Sequence, residues 1–256
     1  MNSQQNKDII SENGDTKYHF TYLEWDSNYF QKPSYYLNTD LSRFGHGDDS
    51  RAIENIRSKL NNCFVTAKIN TSSDYRIVNE LQRAGFYYVD TEVTLKYLKD
   101  DSQDNLKTAE DDIKIFKVDK NCHLPYEEIG SVFTQTRFHT DLNISTKKSN
   151  ELWILYLKNF IPGREKHMYA ATVGDVVVGV ILVNIKNIEA FLFFVAIKPE
   201  YQGKGVGSSL IQHVIAQLFG FSISTGTQVK NISALNYYIK NGFSKIISTK
   251  TILHHW

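Results

Sequence analysis

The sequence predicts a mixed α/β protein made of two domains. Short apolar runs typical of strands alternate along the chain with segments whose apolar residues recur at helical spacing. The stretch from Lys99 to Asp112 is rich in acidic residues and almost free of apolar ones, as expected of a linker. With 256 residues, the chain is long enough for two compact cores. We therefore predict an α/β domain over residues 1–105 and a second one over residues 106–256.

The balance of charges limits the kinds of partner. Lys and Arg number 29 and Asp and Glu number 28, so no global basic field would hold nucleic acid or an anionic membrane. The longest apolar run, Ala190 to Ile197, is far shorter than the ~20 residues of a transmembrane helix. The polar start of the chain does not resemble a signal peptide. Cys63 and Cys122 form no disulfide framework and no zinc-binding spacing. We expect a soluble protein of the reducing cytoplasm, without a metal site and without a nucleic-acid or membrane partner.

The first domain is predicted to alternate helices and strands. Residues up to about 19 are polar and are expected to be frayed, with the fold starting at the aromatic segment 22–25. Gly85 stands where a helix stop is expected. The predicted elements are helices over 50–60 and 74–84 and strands over 63–69 and 87–98.

The second domain is predicted to begin with helices and to continue as a meander of strands. Pro162-Gly163 ends the helix-rich stretch, and Gly174-Asp175 joins two apolar runs as a hairpin turn does. The last apolar run is apolar on both faces, as expected of a buried central strand. The predicted elements are a strand over 113–118, helices over 127–136 and 148–160, and strands over 168–173, 176–184 and 190–197.

A glycine-rich loop follows that last strand and opens a helix. The chain reads Gln202-Gly203-Lys204-Gly205-Val206-Gly207, and apolar residues then recur at helical spacing as far as Leu218. Glycines let the backbone come close to a ligand, and a helix N-terminus presents unpaired N–H groups to an anion. The loop therefore fits a pyrophosphate, and a plain strand-to-helix turn is the alternative. It matches neither the Walker loop nor the Gly-x-Gly-x-x-Gly fingerprint, which weakens nucleotide hydrolysis and dinucleotide binding.

A second motif lies downstream of the loop. Asn231 can cap a helix, Tyr238 lies two turns further on nearly the same face, and Gly242 can serve as a left-handed stop. The motif comprises Asn231, Ala234, Tyr238, Lys240, Gly242 and Phe243. Together, the loop and this motif resemble the GNAT acetyltransferase superfamily. Its loop reads Gln/Arg-x-x-Gly-x-Gly/Ala, and its downstream signature reads Asn-x-x-Ala-x-x-x-Tyr-x-Lys-x-Gly-Phe.

The resemblance implies a fold, a co-substrate and a set of binding residues. It implies a GNAT fold, with a mixed central sheet flanked by helices, over residues 106–256. It also implies acetyl-CoA, with the pyrophosphate on the main-chain amides of residues 203–208. Backbone N–H groups at Val195 and Ala196 would hold the thioester carbonyl oxygen. The implied acetyl-CoA residues are Val195, Ala196, Ile197, Gln202, Gly203, Lys204, Gly205, Val206, Gly207, Ser208 and Asn231.

Segments in both halves of the chain resemble one branch of the superfamily, TDP-fucosamine acetyltransferase. They are Leu23 to Phe30, Leu81 to Phe86 with Glu92-Val93, Phe133 to Phe138, and Thr227 to Gly242. The branch implies acetylation of the 4-amine of a dTDP-4-amino-4,6-dideoxy sugar for surface-polysaccharide assembly. It also implies a smaller N-terminal domain that helps to wall the sugar-nucleotide site, and a homodimer. Asp90 stands where the branch has a glutamate as its proposed base.

Acetyl transfer to an amine needs a base for the amine and an acid for the leaving thiolate. Asp90 and Glu92 lie on one face of a predicted strand, and either carboxylate could take the proton directly or through a water. Asp90 is the first choice through the resemblance, and a solvated strand face is the alternative. Tyr238 is the candidate acid, with a core tyrosine as the alternative. No covalent intermediate is needed, so we predict direct attack in a ternary complex.

The acceptor-side candidates are Arg137, His139 and Gln228. Arg137 could bind a nucleotide diphosphate in bidentate fashion, and a surface ion pair is the alternative. We predict an acetyl-CoA-dependent N-acetyltransferase acting on a nucleotide-linked amino-deoxy sugar. The alternatives are a GNAT enzyme for a small amine, an antibiotic or a protein N-terminus, and a non-catalytic acetyl-CoA-binding module. A strongly acidic acceptor site would favour a cationic substrate, whereas basic groups would favour a nucleotide.

Overall fold

The computed structural model describes residues 9–13, 16–39, 50–73, 75–98 and 112–256. Contacts divide the chain into two compact units, residues 1–92 together with 249–256, and residues 93–248. This division differs from the predicted boundary after residue 105, because the end of the last strand pairs with a strand of the first unit. The predicted linker lies outside the described residues except for Asp112.

The first unit combines a sheet with three helices. Its elements are β1 (Ile9–Asn13), β2 (Thr16–Tyr22), α1 (Glu24–Phe30), β3 (Ser34–Thr39), α2 (Ser50–Lys59), β4 (Phe64–Asn70), α3 (Tyr75–Arg83), the first part of β5 (Tyr87–Lys96) and the end of β11 (Lys245–His255). Neighbouring strands follow the order β1-β2-β3-β4-β11. The β3–β4 pair is parallel and the other pairs are antiparallel. Helical residues such as Ile56 and Leu81 share one core with Phe20, Leu37 and Leu253 of the strands.

The fold begins earlier in the chain than predicted. β1 and β2 pair in antiparallel fashion, with Ile9 opposite Phe20. The expectation of a frayed start is therefore wrong for residues 9–13 and 16–19. Tyr18 and Phe20 are both buried, because alternate side chains of a strand point to the same face. This alternation, which Tyr22 continues, is the sequence signal that predicts a strand here.

The second unit has a mixed sheet with helices on both faces. Its further elements are β6 (Ile113–Lys117), α4 (Tyr126–Gly130), α5 (Arg137–Thr140), α6 (Thr146–Lys158), β7 (Lys166–Val173), β8 (Val176–Lys186), β9 (Glu189–Ile197), a 3-10 turn (Pro199–Tyr201), α7 (Val206–Gln217), β10 (Ser222–Gln228) and α8 (Ile232–Lys240). Neighbouring strands follow the order β6-β7-β8-β9-β10-β5. The strands are antiparallel from β6 to β9, and β10 is parallel to β9. The predicted mixed α/β fold class is confirmed.

Apolar side chains cover both faces of this second sheet. On one face, Leu210 of α7 packs in the same core as Ile181 of β8. On the other face, Leu157 of α6 shares a core with Leu182. Because neighbouring residues of β8 belong to opposite cores, its segment Val178–Val183 is buried without interruption.

Two classes of site are absent from the described part of the chain. None of its helices is long and apolar enough to cross a membrane. The same residues contain no group of three or more His, Cys, Asp or Glu side chains suited to a metal ion. Cys63 and Cys122 are free thiols. Burial raises the pKa of the Cys63 thiol above its ordinary value, which lowers its reactivity.

Helix α4 is shorter than the predicted helix over residues 127–136. It ends at Gly130, and the chain then runs to Thr136, the N-cap residue of α5. A Cβ at Gly130 would lie 2.7 Å from Ile154 Cγ1 and 2.8 Å from Ile154 Cα. Only glycine therefore allows α4 to approach α6 this closely.

The variant Gly130→Ala is expected to lower the free energy of unfolding by about 1–3 kcal/mol, the usual cost of overpacking. The added methyl group would meet the backbone of α6, which cannot move aside as a side-chain tip can. Urea or thermal unfolding measures the effect. Gly163→Ala is the matched control, because a Cβ there meets nothing within 4 Å. Equal stability of the two variants would contradict the close approach of α4 and α6.

Candidate active site

The site lies in the second unit, where β9 and β10 part. The two strands pair in parallel from Glu189 with Ser222 to Leu192 with Thr225, and their pairing ends there. The Thr225 hydroxyl donates a 2.7 Å hydrogen bond to the Leu192 carbonyl at this point. Beyond it, β9 stays paired with β8 after a register shift that leaves Phe193 without an opposite residue, as in a β-bulge. Residues of both strands beyond the last pair line the cavities described next.

The first cavity, which we call the loop pocket, has a volume of about 350 Å³. It contains most of the acetyl-CoA residues predicted from the sequence: Val195, Ile197, Gln202, Gly203, Gly205, Gly207, Ser208 and Asn231. Ala196 is buried in the core that contains Leu157 and Leu182, and Val206 is buried in the core on the opposite face of the sheet. Lys204 is exposed, with its Nζ 5.4 Å from the ring centroid of Tyr201.

Several residues of the loop pocket were missed by the sequence analysis. They are Val132, Tyr201, Ser233, Ala234, Tyr237 and Lys240. Ala234 and Lys240 are positions of the downstream motif, so a signal for them was present in the sequence. Tyr201 precedes the glycine loop directly, whereas Val132 lies far from both motifs along the chain.

The start of α7 is arranged to receive an anion. Gly203 and Gly205 have φ values of +76° and +86°, a backbone region that favours glycine. Gly205 is the N-cap residue and has no side chain to bond the first N–H groups of α7. Those groups and the positive end of the helix dipole are therefore available to a negatively charged ligand. Gln202 links the loop to the end of β9, because its Nε2 donates a 2.9 Å hydrogen bond to the Ile197 carbonyl.

Gly207 is required for a different reason. A Cβ at this position would lie 2.8 Å from the Tyr237 hydroxyl and 3.2 Å from two ring carbons of Tyr237. The ring of Tyr237, on α8, thus occupies the space where a side chain of residue 207 would be. Burial raises the pKa of the Tyr237 phenol well above its ordinary value. The last glycine of the loop therefore permits the close approach of α7 and α8.

The second cavity, which we call the aromatic pocket, has a volume of about 320 Å³. Aromatic rings form one part of its lining, with Trp153 stacked on Phe133 at a centroid distance of 5.3 Å. The polar part consists of neutral amide and hydroxyl groups. No Asp, Glu, Lys or Arg occurs among the described residues that line it. These residues are Val132, Phe133, Thr134, Gln135, Thr136, Trp153, Phe193, Phe194, Val195, Gln202, Gly226, Thr227, Gln228, Asn231, Ala234 and Tyr238.

Tyr238 and Asn231 both line the aromatic pocket. The Asn231 side chain caps α8 by accepting a 3.1 Å hydrogen bond from the Ala234 N–H, and Gly242 follows the helix with φ +91°. Both local predictions for the motif are thereby confirmed. Tyr238 is only 6% exposed. Burial raises the pKa of its phenol, and a hydrogen bond with Thr225 acts in the opposite direction.

The remaining predicted site residues lie outside both pockets. Arg137, on α5, stacks over the ring of Phe138 at 4.4 Å. The two ring nitrogens of His139 are bonded to Thr136 and Asn150. The ring therefore contributes to the capping of α5, and this geometry does not support direct substrate binding by His139.

Asp90 and Glu92 belong to the first unit. Asp90 is 3% exposed, so a solvated strand face is excluded for this residue. Its Oδ1 accepts a 2.8 Å hydrogen bond from the Thr91 N–H. Glu92 is half-buried and forms an ion pair with Lys68 at 2.6 Å. The two carboxylates therefore have different surroundings on the same strand.

Residues 134–243, which include both the glycine loop and the Asn231–Tyr238 helix, match the Acetyltransferase (GNAT) family. The chain contains a GNAT acetyltransferase domain. A relative of the chain is the spore coat polysaccharide biosynthesis protein SpsD of Bacillus subtilis strain 168. It is 27% identical over 115 residues, which cover 44% of this chain and 40% of SpsD. The chain thus matches less than half the length of this relative.

Solved structures resemble the chain beyond its GNAT domain. A conserved protein of unknown function from Staphylococcus epidermidis ATCC 12228 has a TM-score of 0.66 at 11% identity, covering 98% of this chain and 95% of that one. A GCN5-related N-acetyltransferase from Kribbella flavida has a TM-score of 0.62 at 12% identity, with coverages of 97% and 89%. At such identities the likeness shows the fold alone.

Proposed function

We propose that the protein transfers the acetyl group of acetyl-CoA to the amine of a nucleotide-linked amino-deoxy sugar, of the dTDP-4-amino-4,6-dideoxyhexose type. One observation carries the proposal. The loop pocket and the aromatic pocket adjoin, with Val195 and Asn231 in both linings. A donor in the first and an acceptor in the second would therefore meet at the parted strands. This arrangement supports direct attack of the amine in a ternary complex.

The loop pocket fits the donor. The uncapped N–H groups at the start of α7 would bind the pyrophosphate, and Lys240 adds a positive charge to the same lining. The pantetheine chain would lie along the open edge of β9 near Val195. Bound acetyl-CoA supplies an activated thioester carbonyl, whose oxygen a main-chain N–H of β9 would hold.

The aromatic pocket favours a neutral ring that bears hydroxyl groups over a polycationic amine. Its lining offers amides and hydroxyls for such groups, such as Gln135 and Gln228, and contains no carboxylate to attract a cation. Arg137 follows the lining residue Thr136 directly, and Lys230 bonds the Thr140 hydroxyl at the other end of α5. These cations support a diphosphate beside the pocket. The name of SpsD, a polysaccharide biosynthesis protein, agrees with a sugar acceptor.

Tyr238 is suited to protonate the leaving thiolate. Its phenol carries this proton and forms a hydrogen bond with the Thr225 hydroxyl in the resting site. Because burial raises the pKa of the phenol, this proton stays on Tyr238 at neutral pH. During transfer the amine nitrogen forms a bond to the carbonyl carbon, the carbon–sulfur bond breaks, and the proton moves from Tyr238 to sulfur.

Asp90 is the proposed base, and the pair Asp90→Asn and Glu92→Gln tests it. Asp90→Asn is expected to lower kcat about tenfold near neutral pH, with a smaller loss at higher pH, because more of the amine is then already deprotonated. Glu92→Gln removes only the partner of Lys68 and is expected to have a smaller effect. Initial rates across a pH series decide between them. A loss for Asp90→Asn that does not vary with pH would contradict its role as base.

The proposed function is tested by incubating the protein with acetyl-CoA and dTDP- or UDP-linked sugars that carry a 4-amine or a 3-amine. Free thiol and product mass are followed together. The expected result is the gain of one acetyl group on one sugar. Acetylation of a small amine or a peptide N-terminus instead would show that the acceptor is not a nucleotide-linked sugar. Acetyl-CoA binding without any turnover would indicate a non-catalytic binding module.

A further inference from the structure

A chain of hydrogen bonds runs behind the wall of the aromatic pocket. The Trp153 Nε1 lies 3.2 Å from the Thr136 Oγ1, and this oxygen lies 2.8 Å from the His139 Nδ1. The His139 Nε2 lies 2.8 Å from the Asn150 Oδ1. Trp153 and Thr136 line the pocket, whereas His139 and Asn150 do not. We call these four residues the His139 relay.

The direction of every bond in the relay is fixed by its donors. An indole N–H can only donate, so the Thr136 oxygen accepts from Trp153. The backbone N–H of Thr136 also points at the His139 Nδ1, at 3.4 Å, so this ring nitrogen is an acceptor. The Thr136 hydroxyl therefore donates to Nδ1, and the ring proton lies on Nε2 and is donated to Asn150. This set of bonds places the His139 ring hydrogen on Nε2.

The relay determines how the Trp153 ring lies in the pocket. Besides its bond to Thr136, the ring packs against aromatic neighbours, with Phe133 at 5.3 Å and 29° and Phe194 at 6.0 Å and 46°. Such contacts allow several ring orientations of similar energy. The Nε1–H bond selects one of them, and the Thr136 hydroxyl that accepts it is held by the His139 ring together with the His139 backbone N–H.

We propose that His139 is a positioning residue for the acceptor, acting through Thr136 to fix the plane of the Trp153 ring. This proposal rests on the proposed function in one respect, namely that the aromatic pocket receives the acceptor. It gives His139 a role in acceptor binding without contact with the acceptor.

Two substitutions of His139 separate the two ends of the relay. Asn can place its side-chain oxygen where Nδ1 lies and so keep the acceptor for Thr136. Gln can reach the Nε2 position and so keep the bond to Asn150. His139→Asn is expected to behave as the unchanged protein, and His139→Gln is expected to behave as Thr136→Val, which removes the hydroxyl. His123→Asn, at an exposed histidine, is the control.

The first readout uses the fluorescence of Trp153 without any acceptor. Trp25→Phe and Trp256→Phe leave Trp153 as the single tryptophan. Acrylamide quenching of Trp153 is expected to increase equally in Thr136→Val, in His139→Gln and in the variant that combines both substitutions. All three variants interrupt the same series of hydrogen bonds. Unchanged quenching in His139→Gln, or additive increases in the double variant, would overturn the proposal.

The second readout compares the KM for the sugar with the KM for acetyl-CoA, using the nucleotide-linked amino sugar that the turnover experiment identifies. The KM for this sugar is expected to rise about fivefold in His139→Gln, as for the loss of one hydrogen bond, while the KM for acetyl-CoA stays unchanged. If His139→Asn loses acceptor binding and His139→Gln retains it, His139 merely joins α5 to α6 and the proposal fails. If no sugar is a substrate, the proposed function fails, and the quenching experiment still decides the relay.

Discussion

Tyr238→Phe is expected to lower kcat about a hundredfold while it changes the affinity for acetyl-CoA by less than about twofold. The substitution keeps the ring, its edge-on packing against Phe243 at 5.9 Å and its place in the core. It removes the phenol hydroxyl, whose proton the thiolate needs when the carbon–sulfur bond breaks. Initial rates and the dissociation constant of acetyl-CoA, measured on the same preparation, give the comparison.

Tyr237→Phe is the matched control, because Tyr237 is the preceding residue of the same helix. Its hydroxyl lies at Gly207 in the loop pocket, so Tyr237→Phe is expected to act on acetyl-CoA affinity and to leave kcat unchanged. Comparable losses of kcat and of acetyl-CoA affinity in Tyr238→Phe would contradict its role as acid. The raised pKa of Tyr238 has a further consequence. Loss of activity through ionisation of this phenol is expected only above about pH 10.

The donor side of the site could be predicted because its geometry is local in sequence. The turn at Gly203 and Gly205 needs a positive φ. The cap at Asn231 needs an amide side chain three residues before the backbone N–H from which it accepts a hydrogen bond. Such requirements leave a fixed spacing in the chain. The sequence also shows where a helix follows a buried strand, and this places the uncapped N–H groups at the end of β9.

The acceptor side could not be predicted in the same way. Trp153 lies on α6, in the middle of an ordinary helical pattern, and its ring neighbours Phe133 and Phe194 come from distant parts of the chain. His139 illustrates the same difficulty. Its position beside Arg137 indicated a substrate contact, whereas both ring nitrogens bond other side chains. Tertiary contacts of this kind leave no periodic signal in the sequence.

Ser208→Glu is expected to weaken acetyl-CoA binding about a hundredfold while it raises the melting temperature. Ser208 is the third residue of α7 and lines the loop pocket. A carboxylate in the first turn stabilises a helix by about 0.3–1 kcal/mol through the helix dipole. The same carboxylate would lie about 5 Å from a bound pyrophosphate, where repulsion between two like charges is about 3 kcal/mol at an effective dielectric constant of about 20.

The opposite signs of these two effects distinguish an anion site from a site that is simply crowded. Ser208→Gln has nearly the same size without the charge, and it is expected to lose affinity only a fewfold. The difference between the Glu and Gln variants should shrink as salt is added, because ions screen the repulsion. Titration calorimetry with acetyl-CoA at two salt concentrations and thermal unfolding without ligand provide the measurements. If both variants bind acetyl-CoA alike, the pyrophosphate does not lie on α7, and the glycine loop serves only to join β9 to that helix.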